Sequence, residues 1–357
     1  MPEGGIQQPA PKRRLSKRTW IIIIVCFVVI VAGVGAFVFS KKDDTNTNGS
    51  NATVNTNSDR LVRRYIDGVM DLKANQNMYP VGVMIENLAT IRPQAGLVKA
   101  NVVYEALVEG GITRFLAVFT LTESIDKIGP VRSARPYYID WVKELNAMYA
   151  HVGGSPQAMS DIQTKGVINL DQFYDPTNFW REKLKRPIEH NMFTSGRLLT
   201  LGLAGKDALT EGDFEPWVFK DDAALSERLD MTNPITIDFS SASYQVVYQY
   251  DRATNTYNRF QADQPHVDMD TNEQISPKNV LVQYVKTGLA DAQRLTMETV
   301  GSGDALLFRD GQVIEGSWSK DSVNDRTLFT DASGEPMEFT SGQTWVEVVP
   351  DDRTVTY

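Results

Sequence analysis

VVYEALVEGGITRFLAVFTL, residues 102–121, is the stretch on which the fold of this chain turns. Val102 to Val108 is an apolar run interrupted by one tyrosine and one glutamate. Gly110 and Gly111 follow, and Ile112 to Leu121 is a second, longer apolar run. These residues read as two strands, with the glycine pair giving the backbone freedom to turn sharply between them. In an extended chain successive side chains alternate faces, so Glu105 shares a face with Val103 and Leu107 while Tyr104 takes the other. A carboxylate on a core face is costly unless it is paired, and Glu105 therefore requires a partner such as an arginine.

Working outward, Val81 to Glu86 reads as a strand, Tyr137 to Met148 as a helix and Tyr149 to Val152 as another strand. Ser155 followed by Pro156 opens a further helix with a hydroxyl cap and a proline in its first turn, and Gly166 is placed to end it. Such alternation predicts a mixed α/β domain over residues 60–215. After Asp230 the grammar changes. Ile235 to Phe239, Tyr244 to Tyr250, Tyr257 to Gln261, Val280 to Lys286, Ala305 to Arg309, Gln312 to Trp318 and Thr344 to Val349 are short β-rich runs. Asp310-Gly311 between two of them signals a type I′ hairpin, so residues 230–357 read as a small all-β domain. A length of 357 residues suits two such domains.

The N-terminus is different in kind. Lys12, Arg13, Arg14, Lys17 and Arg18 stand against Glu3 alone, and Trp20 to Phe39 then run without a charge. That length matches a bilayer core, so 1–19 reads as a cytoplasmic basic stub and 20–39 as a transmembrane helix. Removal as a signal peptide after the small residues Val34-Gly35-Ala36 is the alternative. Residues 40–59, rich in Asn, Thr and Ser, read as a flexible linker. Of the 36 basic and 45 acidic residues, 31 and 44 lie beyond residue 19, which makes the exported body -13 although the whole chain is -9. Acid excess argues against nucleic acid as a partner. The membrane, through the N-terminal helix, and a cell-wall glycopolymer or envelope protein are the partners this layout implies.

One cysteine and three histidines leave little for a metal centre, and no cofactor is expected. Any site must be built from arginine, glutamate and backbone N–H groups. Glu105 and Glu109 are the candidate catalytic acids. Arg114, Arg132, Arg135 and Arg181 sit in or near glycine-proline turns and supply forked donors suited to phosphate or carboxylate. His151, Gly153, Gly154 and Ser155 form a glycine turn into a helix N-terminus, which can present N–H groups to an anion. His190 completes the candidate ligand-binding set. The structural alternatives are a network in which the arginines neutralise Glu105 and Glu109, and an ordinary strand-to-helix turn at Ser155. His266 and Asp268 share a strand face, with structural packing as the reading for the histidine.

Read as a set, these segments resemble the YerB-like bacterial envelope proteins of unknown function. IRPQAGL (91–97), NVVYEALVEGGITRF (101–115), IGPVRSARPYY (128–138), AMYAHVGGSPQA (147–158) and EHNMF (189–193) carry the resemblance in the first domain. NVLVQYV (279–285), GSGDALLF (301–308), GQVIEGSWSK (311–320) and GQTWVEVVP (342–350) carry it in the second. The resemblance implies a two-domain extracytoplasmic protein and no known reaction. The order of elements also looks like that of LytR-CpsA-Psr glycopolymer transferases. That likeness implies Arg132 and Arg135 as a pyrophosphate clamp, Arg181 as a later arginine, and Mg²⁺ as a cofactor under this alternative only. Neither Arg114 nor Arg132 is followed by the aspartate that such a metal site requires. Two functional expectations follow: binding of an anionic wall or lipid-linked ligand in an arginine pocket, or glycopolymer transfer or hydrolysis with Glu105 or Glu109 as base. A scaffold partner of wall enzymes is a third.

Overall fold

The structure, a computed structural model, describes residues 61–208, 211–292 and 294–357. The expected transmembrane helix over 20–39 and the linker lie outside the described residues. Among the described residues, no helix is long and apolar enough to cross a membrane. The described residues form one compact unit.

The glycine turn and its two strands are present as read. We label the strands β1 (Val81–Glu86), β2 (Val102–Leu107), β3 (Thr113–Phe119), β4 (Met148–His151) and β5 (Asn169–Asp171). The helices are α1 (Pro136–Glu144), α2 (Pro156–Thr164) and α3 (Gly196–Gly205). From the second half come β6 (Ile235–Asp238), β7 (Gln245–Asp251), β8 (Thr256–Gln261), β9 (Gln264–Pro265), β10 (Asn279–Val285), β11 (Gly301–Arg309), β12 (Gln312–Lys320), β13 (Leu328–Asp331), β14 (Thr344–Pro350) and β15 (Val355–Thr356). Gly110 and Gly111 both adopt left-handed backbone (φ +71° and +69°), which is why the turn between β2 and β3 needs them. Asp310 and Gly311 are left-handed too (φ +52° and +75°), and Arg309 pairs with Gln312, as a type I′ turn demands.

Two readings shift at their edges. The helix expected over 137–148 ends at Glu144, because Asn146 turns left-handed (φ +45°) and the Ala147 N–H bonds back to the Val142 carbonyl, leaving Met148 free to begin β4. The strand expected to reach Leu121 stops at Phe119, and Leu121 is itself left-handed (φ +51°). Helix α2 begins as read, with the Ser155 hydroxyl accepting from the Ala158 N–H at 3.3 Å.

A ten-stranded sheet runs in the order β13-β12-β11-β10-β14-β2-β3-β1-β4-β5. Its seam is β14 against β2, parallel, so the mixed first half and the second half, which has no α-helix among the described residues, share one hydrogen-bonded sheet. The five-stranded antiparallel sheet β9-β8-β7-β6-β15 packs on one face, through Ile235, Ile237, Val246, Tyr248 and Tyr257 against Val103, Phe115 and Trp345. Helices α1 and α2 cover the other through Tyr138, Trp141, Val142 and Ile162 against Tyr104, Leu116 and Val118. Strands β2 and β3 are therefore buried on both faces, which explains their nearly unbroken apolar sequence. Trp318 and Trp345 are both in the core. Each such ring removed from water contributes on the order of 2–3 kcal/mol.

Candidate functional site

Strands β1, β4 and β5 are adjacent and parallel, and each ends in an ionisable residue: Glu86, His151 and Asp171. The carboxyl edge of parallel strands is where open α/β sheets hold ligands. Above it lies a cavity of about 490 Å³ lined by Arg132, Ser133, Gly153, Gly154, Asp171, Phe173, Tyr174, Arg181 and Glu189 among others. Four of the residues singled out from sequence, Arg132, Gly153, Gly154 and Arg181, meet in it.

Two guanidiniums converge on one short turn. Arg132 Nη1 donates to the Glu189 carbonyl at 2.9 Å, and Arg181 Nη1 donates to the carbonyl of the preceding residue, Ile188. Consecutive carbonyls fix the two heads side by side and occupy one N–H of each. Behind them Glu86 is shared. Arg132 Nε lies 3.1 Å from Glu86 Oε1, an ion pair without hydrogen-bond alignment, and His190 Nδ1 donates to the same carboxylate at 2.8 Å. His151 is buried and bonded at both nitrogens, to the Gly153 carbonyl (2.8 Å) and the Asn169 side-chain amide (2.6 Å). Burial pushes its pKa below the ordinary histidine value, against the pull of Asp171 and of these two hydrogen bonds.

Other candidates are turned elsewhere. Arg135 grips Glu109 with two bonds, from Nε and Nη2, and lines a different cavity together with Ser155. Glu109 sits below the usual carboxylate range: burial raises it, but the Arg135 bonds outweigh that. Arg114 is buried and donates to the Ser133 carbonyl at 2.7 Å; burial, then Arg135 and Arg132, lower its pKa. The glycine turn does not present a free anion nest, because the Gly153 N–H is taken by Asp171 Oδ1 (2.9 Å) and the Ser155 N–H by the Ala134 carbonyl (3.3 Å).

Glu105 lies fully buried on the face opposite Tyr104, as the alternation requires, and the arginine it needs comes from the far half of the chain. Arg259 Nη2 donates to Glu105 Oε2, and Thr113 and Asn87 serve Oε1. Glu347 stands directly across the β14–β2 seam from Glu105. With one arginine between two glutamates, Glu347 is pushed well above the usual carboxylate range by burial and by Glu105. His266 fills a further position, accepting from Arg259 at Nδ1 and donating from Nε2 to Gln94 Oε1 at 2.9 Å, while Asp268 accepts from the Gly96 N–H at 2.6 Å. On the opposite face of the sheet Glu144 meets Lys320 (2.9 Å), Arg326, Thr327 and the Tyr104 hydroxyl (2.6 Å). Burial raises Glu144, but Lys320 and Arg326 outweigh it and hold its pKa at about 2. Among the described residues, no three His, Cys, Asp or Glu side chains group as a metal site requires.

Residues 68–208 match the family described as Protein of unknown function (DUF3048) N-terminal domain, and residues 235–346 its C-terminal domain. A Bacillus subtilis (strain 168) relative, "Putative lipoprotein YerB", is 30% identical over 274 residues, covering 76% of this chain and 81% of its own. The chain belongs to the YerB-like DUF3048 family. A crystal structure of the YerB protein from Bacillus subtilis covers 83% of this chain and 100% of its own at 27% identity, with a TM-score of 0.73. None of these matches supports the likeness to LytR-CpsA-Psr transferases.

In this YerB-like chain, sequence reasoning missed Glu86, Asp171 and Arg259. Glu86 and Asp171 each close a short strand with a charge, VGVMIE and NLD, and a charge closing an apolar strand was the available signal. Arg259 sits in TYNRFQ, on the same face as Tyr257, and nothing local distinguishes it from a solvent-facing arginine.

Proposed function

We propose that this YerB-like protein is held at the outer face of the cell membrane by its N-terminal apolar run. There its groove binds an anionic envelope ligand, a wall glycopolymer or a lipid-linked phosphate. The observation that carries the reading is the pair of guanidiniums, Arg132 and Arg181, seated on consecutive carbonyls with donors to spare and open to a cavity at the strand ends. Anionic oxygens suit such forked donors. The relative described as a lipoprotein supports attachment to a membrane. Glu105 and Glu109, the carboxylates expected to act as base in transfer or hydrolysis, are both held by arginines and line no part of this cavity, which favours binding over turnover by those residues. The test is calorimetric titration of the full chain in lipid nanodiscs with inorganic pyrophosphate. Saturable binding that disappears in Arg132→Ala/Arg181→Ala supports the reading, and binding unaffected by that double substitution refutes it.

A further inference from the structure

We propose that the groove takes a glycan bearing an acidic group, with a sugar ring against Phe173 and Tyr174 and the acid on Arg132 and Arg181. This rests on the anionic-ligand reading and narrows it to one class. Phe173 and Tyr174 are the two most exposed aromatic side chains among the described residues, at 66% and 80%, and both line the cavity that holds the two guanidiniums. Single exposed aromatics need no explanation, but consecutive ones on a pinned turn beside a polar cavity do.

The turn is fixed at four points. Asp171 Oδ1 accepts from the Phe173 N–H at 3.2 Å, the Asp171 carbonyl accepts from the Tyr174 and Asp175 N–H groups, and Asp175 is ion-paired with Lys206 at 2.9 Å. The same Asp171 oxygen also takes the Gly153 N–H, which ties the aromatic turn to the glycine turn across the cavity. Gly153 is left-handed (φ +55°), and a Cβ there would come within 3.0 Å of the Phe173 ring, so glycine is what allows that ring to lie so close. The backbone that carries both rings is thus ordered before any ligand arrives.

A bare phosphate satisfies the arginines and leaves both rings in water. A sugar has an apolar C–H face for an aromatic ring and hydroxyls at its edge. Asp171, almost wholly buried in the cavity wall, has a second carboxylate oxygen, Oδ2, with no hydrogen-bond partner among the described residues. Buried acceptors are ordinarily satisfied, and a ligand hydroxyl supplies the missing donor.

The experiment compares poly(glycerol phosphate) with and without glucosyl substituents, titrated into the full chain in nanodiscs. The glucosylated polymer is expected to bind about tenfold tighter, an advantage lost in Phe173→Ala and Tyr174→Ala and kept in Tyr174→Phe. Arg132→Ala/Arg181→Ala is expected to lose both polymers. Asp171→Asn weakens the glucosylated polymer alone. Equal affinity for the two polymers, insensitive to both aromatic substitutions, overturns the sugar assignment while the anion reading stands. Loss of neither polymer in the arginine variant overturns both.

Discussion

Arg259 and Arg132 both answer a glutamate on a strand of the same sheet, and their surroundings separate two kinds of charge cluster. Arg259 and its partner Glu105 are fully buried, the guanidinium lies 4.4 Å from the Trp345 ring centroid, and its neighbours Tyr248, His266 and Glu347 are internal as well. Arg132 is about a quarter exposed, shares Glu86 with His190, and sits beside Arg181 in an open cavity. The first cluster is closed: its donors are spent on the seam between the two halves of the chain. The second is open, with acceptors and donors left over. Charge in the sequence does not distinguish them. What does is access to solvent: the Arg259 cluster is sealed inside the protein, whereas Arg132 and Arg181 line an open cavity.

The comparison breaks most severely at Arg259. Arg259→Met leaves Glu105 and Glu347 facing each other without a cation, and breaking a buried pair in this way costs about 3–5 kcal/mol. Chemical denaturation at neutral pH should show that loss; a change below about 1 kcal/mol would mean that the seam does not depend on it.

Glu144, on the opposite face, comes next. Its folded pKa of about 2 lies below the ordinary value of 4.5, so its contribution is complete above pH 4.5 and is lost as pH falls from there to about 2. The shift corresponds to roughly 3 kcal/mol. Glu144→Gln should lose about that amount at neutral pH, with the difference from the parent protein shrinking toward pH 2. A pH-independent difference would contradict the assignment.

Glu347 has the opposite sign. Its pKa is raised, so its contribution is present below the ordinary carboxyl range and fades as pH rises through the raised value. Glu347→Gln removes the ionisable group and should abolish that loss of stability with rising pH, a pH dependence opposite in sign to that of Glu144→Gln; denaturation curves for the two variants that move the same way with pH would contradict this.

Much of this was legible in the sequence where the cause is local. Alternation put Glu105 and Tyr104 on opposite faces, Gly110-Gly111 and Asp310-Gly311 named their turns, and Ser155-Pro156 named its helix. What stayed hidden depends on distance along the chain. Glu105 and Arg259 are 154 residues apart, and the β14–β2 seam that makes neighbours of Glu105 and Glu347 leaves no mark in either strand. Arg132 and Arg135 look equivalent in RSAR, yet one faces the cavity and the other is turned onto Glu109. The groove depends on Glu86, His151 and Asp171 closing three neighbouring parallel strands, an adjacency that no one of the three segments encodes.

Arg132→Ala/Arg181→Ala, carried through both pyrophosphate titration and denaturation, bears most directly on the division between closed and open clusters. Binding is expected to be lost while folding stability changes by no more than about 1 kcal/mol, as for partly exposed ion pairs. Retained binding, or loss of the fold comparable to that in Arg259→Met, would contradict it.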